Sequence, residues 1–328
     1  MKAYVLRSYG SADGLALTDV EQPVPAAGEV LVRVRATSVN PYDWHLMRGE
    51  PRVARLMPGA VGLRRPKIGV LGADVADRVE AVGSAVTAFR PGDDVFAVLS
   101  GGGFAAYVCA AQTRLVRKPA NLSYEEAAAV PMGAVTALVA LRDVGQVQSG
   151  QKVLVNGASG GVGTFAVQLA RAYGAEVTGV CSSRNADLVR AIGAHEVIDY
   201  TREDFTRRTG YFDLLLDIAG GRRVLAARRA LTRKGTYVAV GGPAGRWLQP
   251  AGHVFAAAAA GPFVSQRVVL ADVSRYPDTA RHLRFISEFL ADGRVKPVID
   301  RRYAFDDIPA AVRYQEQGHV PGKVVVTV

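Results

Sequence analysis

Three glycines, Gly157, Gly160 and Gly163, stand at the spacing G-x-x-G-x-x-G within the stretch 153–184, VLVNGASGGVGTFAVQLARAYGAEVTGVCSSR. Val153, Leu154 and Val155 read as a short buried strand ahead of them. From Val162 onward the apolar residues Phe165, Ala166, Leu169, Ala170 and Tyr173 recur at helical spacing until Gly174. Glycine lets a backbone approach a pyrophosphate closely, and the free N–H groups and dipole at a helix start favour its charge. A glycine triplet alone says little. Set between a buried strand and an amphipathic helix, with a second strand following, it reads as a dinucleotide cradle built from Gly157, Ser159, Gly160, Gly161, Val162 and Gly163. The competing reading is a strand-to-helix turn that binds nothing.

The end of the second strand bears on which dinucleotide fits. A site for NAD wants an acid about 20 residues after the glycines, to accept from the ribose hydroxyls. Here the chain offers Cys181, Ser182, Ser183 and Arg184 instead. Two hydroxyl donors and a guanidinium suit a 2′-phosphate, which a guanidinium can bind through paired hydrogen bonds. This favours NADPH over NADH as the ligand. Ser182 or Ser183 also suits the cap of a helix starting near Asn185, and both readings can hold at once.

Those residues need a scaffold, and 328 residues allow one large domain or two ordinary ones. Residues 1–120 carry strand-like segments broken by Gly and Pro, clearest at 29–39, 70–82, 94–99 and 104–110, and predict a compact β domain. Residues 51–67 hold three prolines and no clean period, which predicts a long loop. Ser123-Tyr124-Glu125-Glu126 forms a capping box that opens a helix; Pro131 interrupts that pattern and 133–143 resumes it. After Gln151 strands near 153–156, 176–181, 196–199, 213–218 and 235–241 alternate with helices near 162–173, 185–192 and 222–231, the pattern of a parallel, doubly wound sheet. Five alanines at 256–260 are chemically mute; 263–270 reads as a strand, 278–292 as an amphipathic helix and 323–328 as a closing strand.

Composition narrows the classes. The net charge is +10, and most of the 40 basic residues are Arg, dispersed and without aromatic stacking motifs or a zinc finger, so nucleic-acid binding is not expected. Steering an anionic cofactor is the more economical use of such a field. No apolar run reaches a membrane span, and Met1 leads into the strand-like AYVL. Cys109 and Cys181 are the two cysteines, too few for a disulfide framework or a four-cysteine zinc lobe. Together these predict a cytoplasmic globular protein.

At this point the segments SVNPYDWHLMRG (38–49), GADVADRVEAVGSAVTAFRPGDDVF (72–96), GGGFAAYV (101–108), NLSYEEAAAVPMGAVTAL (121–138), VIDY (197–200) and GHVPGKVVVTV (318–328), with 153–170, carry a resemblance over essentially the whole chain. The chain resembles the medium-chain dehydrogenase/reductase superfamily, in particular its zinc-independent quinone oxidoreductase branch. The resemblance implies an α/β protein with a GroES-like, β-rich catalytic domain over 1–120, completed by about 295–328, and a Rossmann NADPH-binding domain over 121–294. It also implies an active-site cleft between them and a homodimer formed through the sheet edge at 263–270. The expected reaction is hydride transfer from NADPH to a quinone or an α,β-unsaturated carbonyl. A zinc-free alcohol or aldehyde oxidoreductase, and a non-catalytic NADPH-binding protein of crystallin-like or sensor type, are the alternatives.

Two departures from the family pattern matter. Zinc-dependent members place a Cys ligand where this chain has Asn40 and a His-Glu pair where it has Ala73-Asp74, so no metal is expected. Asp77 stands where the family's G-x-D-x-x-G pattern has a small residue, usually Gly, which bears on local packing.

Without a metal, the protein must align the acceptor and donate hydrogen bonds to its developing oxyanion. Asn40 is the first candidate for that donor, or for orienting the nicotinamide carboxamide; ahead of Pro41 it equally suits a helix N-cap. Asp43 reads as structural or as part of a proton relay. His45, where quinone reductases of this type often have Tyr, could protonate an enolate or simply pack beside Trp44. The resemblance assigns Tyr200 to the adenosine phosphate, Thr136 and the backbone at Val240-Gly241-Gly242 to the nicotinamide half, and, more weakly, Gly322-Lys323 to the cofactor.

Overall fold

The computed structural model describes residues 1–56, 61–242, 265–273, 276 and 278–328. The chain forms two compact units: Met1–Met132 with Asp278–Asp292 and Pro297–Val328, and Gly133–Pro277 with Gly293–Lys296. The alanine run at 256–260 and the first part of the strand expected at 263–270 lie outside the described residues.

The first unit is built on β-structure. Its main sheet runs β14 (Ile299–Ala304), β15 (Lys323–Thr327), β3 (Glu29–Val39), β4 (Asp74–Val82), β5 (Asp94–Val98) and β7 (Val116–Arg117), with β6 (Tyr107–Ala111) also pairing with β3. A separate antiparallel ribbon joins β1 (Lys2–Leu6) to β2 (Leu15–Asp19). β14 lies parallel to β15, and along β15, β3, β4 and β5 each strand is antiparallel to the next. The expected strand from Val70 begins only at Asp74, because Gly72 at φ 91° turns the chain sharply just before it. Likewise Phe104 is spent on β1, accepting from Tyr4 N–H, so β6 begins at Tyr107.

β3 is buried along its last four residues, and β15 over Lys323–Val326, because apolar layers cover both of their faces there. One layer gathers Trp44 and Met47 of α1 (Pro41–Arg48) with Leu71, Phe104, Val324 and Val326. The other gathers Val30, Val32, Val75, Val79, Val95 and Leu115. Polar side chains caught in this region must find partners within the protein.

Two helices lie where the chain passes from the first unit to the second at Met132–Gly133. α2 (Tyr124–Ala128) opens on the predicted capping box, with Ser123 and Glu126 bonded reciprocally. The helical pattern breaks after Ala128, as expected, and Pro131 starts α3 (Pro131–Leu138), the position where proline's missing N–H costs nothing. A π-helical turn, Val139–Val144, continues it.

The second unit is an all-parallel sheet in the order β10 (Glu196–Asp199), β9 (Glu176–Cys181), β8 (Lys152–Asn156), β11 (Phe212–Asp217), β12 (Leu231–Ala239), β13 (Arg267–Leu270). Chain order runs outward from β8 in one direction and from β11 in the other, so the switch point falls between those two strands. α4 (Gly163–Ala172) and α5 (Ala186–Ala191) fall where the periodicity predicts them. The helix expected over 222–231 is shorter: α6 covers Val224–Ala227, a 3₁₀ turn follows, and β12 begins at Leu231 opposite Phe212. α7 (Thr279–Ala291) and α8 (Ile308–Glu316) belong to the first unit.

Candidate functional site

The glycine turn between β8 and α4 is shaped for a phosphate. Gly157 sits at φ 90°, and a Cβ at Gly163 would lie 2.0 Å from the Gly157 carbonyl oxygen, so only hydrogen fits there. A Cβ at Gly160 would meet just that same oxygen, at 3.5 Å, so the space beside it is open. Among the described residues Gly161 and Val162 donate no backbone hydrogen bond, so the start of α4 presents free N–H groups beside that space. The turn is held from outside itself. Asn185 Nδ2 donates to Ser159 Oγ at 3.1 Å, and Gly157 and Ala158 N–H both donate to the Val180 carbonyl. These residues fit a dinucleotide pyrophosphate at the carboxyl ends of a parallel sheet, where such ligands bind.

Asp217 fixes the other side of the switch point. Its Oδ1 accepts from Asn156 Nδ2 at 2.6 Å and from Gly220 N–H at 2.9 Å, and its Oδ2 accepts from the Tyr237 hydroxyl. Burial among these partners pushes the Tyr237 phenol well above its ordinary value. Three strand ends are thereby tied together, and Gly241, whose N–H donates to the Asp217 carbonyl, is packed so that a Cβ would meet the Ile218 oxygen at 2.5 Å. Asn156 and Asp217 were not legible as site residues, since a single polar residue closing an apolar strand has many uses. Thr136 lies partly buried on α3.

At the end of β9 the structure adds a carboxylate that the sequence pattern does not show. Asp199 closes β10 opposite Cys181, and its Oδ2 accepts from the Ser183 hydroxyl. Its Oδ1 accepts from Thr201 N–H at 2.9 Å and Thr201 Oγ1 at 2.7 Å, and Arg202 approaches Oδ2 at 3.5 Å. The Ser183 bond, with the two from Thr201, holds this carboxyl below its usual range. Tyr200 N–H donates to the Cys181 carbonyl at 3.1 Å, which brings the half-exposed Tyr200 beside Ser182, while Ser183 and Arg184 are exposed.

The first unit holds a different cluster. Asn40 is the N-cap residue of α1 and forms a capping box with Asp43. Asp43 reaches back, its Oδ2 accepting from Asn40 N–H at 2.8 Å and its Oδ1 from Gly72 N–H at 3.0 Å. The Asn40 amide also enters a buried network. Its Oδ1 accepts from Lys323 Nζ and its Nδ2 donates to Asp74 Oδ2 at 3.0 Å. Asp74 Oδ2 also accepts from Lys323 Nζ at 2.9 Å and Ser38 Oγ at 2.7 Å, while its Oδ1 accepts from Met132 N–H at 2.8 Å. Asn40, Asp43, Asp74 and Lys323 are all buried. Burial raises the Asp43 carboxyl to about 7, against the pull of its two backbone donors and with Asp74 nearby adding to the rise.

Of the residues singled out in the sequence, the structure therefore brings Asn40, Asp43 and Lys323 into one cluster and adds Asp74 and Ser38. His45 is not in it. Its Nδ1 donates to the Glu50 carbonyl at 3.1 Å, and its ring stacks on Trp44 with centroids 3.7 Å apart. Burial lowers its pKa, which favours the neutral ring and leaves Nε2 as an acceptor.

A zinc ion is what one matching family description implies, and the donor set does not fit one. Among the described residues no three His, Cys, Asp or Glu side chains converge on a point. Of the positions that correspond to the Cys and the His-Glu pair of zinc-dependent members, Asn40 and Asp74 face an ammonium group and Ala73 has no donor in its side chain.

A parallel dinucleotide sheet switching between β8 and β11, joined in one chain to a β-rich unit with a buried polar cluster, defines a dinucleotide-dependent oxidoreductase of two-domain type. Comparison with known proteins agrees. Residues 26–120 match the alcohol dehydrogenase GroES-like domain, and residues 192–326 match the zinc-binding dehydrogenase domain. The chain is 33% identical to a chloroplast envelope quinone oxidoreductase homolog of Arabidopsis thaliana, over 99% of this chain and 98% of that protein. It is also 33% identical to the mitochondrial NAD(P)H oxidoreductase RTN4IP1 of Mus musculus, over 100% of this chain and 89% of that one. Among solved structures, the quinone oxidoreductase of Coxiella burnetii superposes with a TM-score of 0.83 at 27% identity, covering 100% of this chain and 99% of its own. The chain belongs to the medium-chain dehydrogenase/reductase superfamily, in its quinone oxidoreductase-like branch.

Proposed function

We propose that this protein is a zinc-independent, NADPH-dependent reductase of quinones or α,β-unsaturated carbonyls. The observation that carries the reading is the state of the zinc-ligand positions: Asn40, in place of the Cys, is bonded to Lys323 and to Asp74, and Ala73, in place of the His, has no donor atom in its side chain. Without a Lewis acid to polarise an ordinary carbonyl, the favoured acceptor is one that is already electrophilic, because charge left by hydride addition spreads over its conjugated system.

NADPH when bound supplies the hydride, held by Gly157, Ser159, Gly160, Gly161, Val162 and Gly163 at its pyrophosphate. Ser182, Arg184 and Tyr200 support a 2′-phosphate over a free ribose hydroxyl. Asp199, the one carboxylate at that strand end, already accepts from Ser183 and twice from Thr201, so it is poorly placed to serve as the ribose acceptor of an NAD site. The relatives quoted above, named for quinone and NAD(P)H oxidoreduction, support the same reading. A homodimer through the sheet edge at 263–270 belongs to the same proposal.

The test is a steady-state assay of NADPH and NADH oxidation against a panel of quinones, enones, aldehydes and alcohols, run beside metal analysis. Turnover of quinones or enones by metal-free protein, with NADPH preferred, is expected. Tight NADPH binding with no acceptor above background would replace the enzyme with a binding or sensor protein. Stoichiometric, activity-linked zinc would overturn the mechanism.

A further inference from the structure

We propose that the segment following α1 carries a docking face for an anionic lipid bilayer: Leu56 and Leu63 enter the acyl boundary while Arg64, Arg65 and Lys67 meet lipid phosphates. The face belongs wholly to the first unit, and it rests on a bilayer rather than crossing it. Among the described residues no helix is long and apolar enough to cross one.

Leu56 and Leu63 are the most exposed leucines among the described residues, at 77% and 61%. A single exposed apolar residue is ordinary, whereas a pair held at one place beside cations calls for a partner. Tyr9 does the holding. The Arg55 guanidinium lies 4.2 Å from the centroid of its ring, and its hydroxyl donates to the Gly62 carbonyl at 2.6 Å, with the Arg65 carbonyl at 3.1 Å. Leu56 follows Arg55 and Leu63 follows Gly62, so one tyrosine brings both leucines to the same part of the surface. Arg55 is itself tied to the end of α1, donating to the Gly49 and Arg48 carbonyls at 2.7 and 2.8 Å. A Cβ at Gly62 would lie 2.2 Å from the Arg65 carbonyl oxygen, so the chain from 62 to 65 is closed on itself, with Leu63, Arg64 and Arg65 exposed along it. The neighbouring apolar residues Val61 and Ile68 pack against the layer of Trp44 and Leu71 instead. Leu63 is thus turned outward between residues that are turned inward.

The charge around the leucines has one sign. No acid stands between Glu50 and Asp74, a stretch that holds Arg52, Arg55, Arg64, Arg65 and Lys67. Arg55 is spent within the protein, but Arg64 and Arg65 are exposed and have no partner among the described residues, and Lys67 is exposed beside them.

This combination selects the occupant. A nucleic acid would use the cations but has no use for leucine, because bases stack on aromatic rings. A second copy of the same face would set Arg64 and Arg65 against their like across a two-fold axis. An anionic bilayer offers both complements at once, phosphates for the guanidinium groups and an acyl boundary just beneath for the leucines. Such a face also suits the acceptor class proposed above, since apolar quinones partition into bilayers. The docking itself is independent of that reading, because it is measured with no acceptor present.

The experiment uses the full-length protein and vesicles of phosphatidylcholine, alone or mixed with phosphatidylglycerol, read by co-sedimentation at low and high salt. Binding to the mixed vesicles is expected, weakened by salt and at least about 10-fold tighter than to phosphatidylcholine alone. Leu56→Ser with Leu63→Ser, and separately Arg64→Gln with Arg65→Gln, should each lower the binding constant about 10-fold or more, with Tm and the Kd for NADPH at parent values. Leu63→Trp gives a second readout that keeps a bulky apolar side chain. Compared with the parent, its fluorescence should shift to the blue on mixed vesicles and be quenched by lipids brominated in their acyl chains. Failure of the parent to bind mixed vesicles, or equal binding to phosphatidylcholine alone, overturns the proposal. Parent-like binding by the leucine variant reduces the face to a patch of charge and overturns it too. Self-association of the parent without lipid, lost in the leucine variant, would make the face a contact between copies instead.

Discussion

Lys323, the first residue of β15, donates to Asp74, the first residue of β4, at 2.9 Å, and β3 runs between their two strands. The contact closes a buried charge pair whose remaining partners are Asn40, Ser38 and the Met132 backbone. Removing one member of such a pair strands the other charge in a low-dielectric interior, which costs about 3–5 kcal/mol. Asp74→Asn is therefore expected to lower stability by that order in chemical denaturation, and adding Lys323→Met is expected to recover much of the loss. A double variant less stable than Asp74→Asn alone would show that the pair is not a closed electrostatic unit.

Gly160 and Gly163 are predicted to fail differently when changed to Ala. The Cβ at position 163 would sit 2.0 Å from the Gly157 carbonyl oxygen, a clash between backbone atoms that cannot move aside cheaply. Gly163→Ala should lower Tm and weaken NADPH binding together. At 160 the nearest atom is 3.5 Å away, so Gly160→Ala should keep the parent Tm while its methyl group intrudes on the phosphate. Calorimetry and cofactor titration on both variants decide it; a lowered Tm with intact binding in Gly160→Ala contradicts the cradle.

Arg184→Ala should weaken NADPH about 10-fold or more, the size of a lost charge-assisted hydrogen bond, and leave NADH nearly unchanged. Equilibrium titration with each nucleotide measures the split. Equal losses would mean that Arg184 does not read the 2′-phosphate and that the NADPH assignment needs another residue.

Asp77 carries a pH signature. It is fully buried in β4, opposite Val34 on one neighbouring strand and Val95 on the other, and neither carboxylate oxygen has a hydrogen-bond partner among the described residues. Desolvation therefore holds its carboxyl well above the usual value. With the folded pKa above the unfolded value of about 3.9, the folded state keeps its proton while the unfolded chain loses its own, so stability declines as pH rises above about 4. Asp77→Ala should remove that decline, so its gain over the parent is larger at pH 8 than near pH 4, where about 1–3 kcal/mol, the cost of an unpaired buried polar group, still separates the two. Parallel unfolding curves for parent and variant at both pH values would contradict it.

Much of the second unit was legible because its signals are local. The strand–glycine–helix pattern at 153–173 depends on residues within a few turns of one another, and it appears as β8, the cradle and α4. The capping box at Ser123 and the strand at 29–39 are legible for the same reason. The helix over 222–231 was overcalled because β12 pairs with Phe212 from Leu231 onward, a long-range contact that outweighs local periodicity. The break at Pro131 was legible, since the helix before it ends at Ala128 and the next one starts on the proline itself. Asn40 and Asp43 could be named as candidates, but the N-cap and oxyanion readings of Asn40 were inseparable until the structure showed it in a capping box with Asp43 and its amide bonded to Asp74.

The sequence by itself determined the two-part organisation, the glycine turn between β8 and α4 and the absence of zinc-ligand residue types at 40 and 73, since each follows from residue identity and short-range spacing. Only the tertiary structure decided which side chains meet Asn40 and Asp74. Lys323 lies 283 residues from Asn40 and 249 from Asp74, and no periodicity connects positions so far apart. Their meeting depends on sheet register, which sets Val324 against Val39 and Ser38 against Asp74. The same holds for Asp199 and Ser183, 16 residues apart and joined because β10 lies beside β9. A side chain's partner in a buried site is chosen by strand order, which the chain acquires only when its apolar faces are covered.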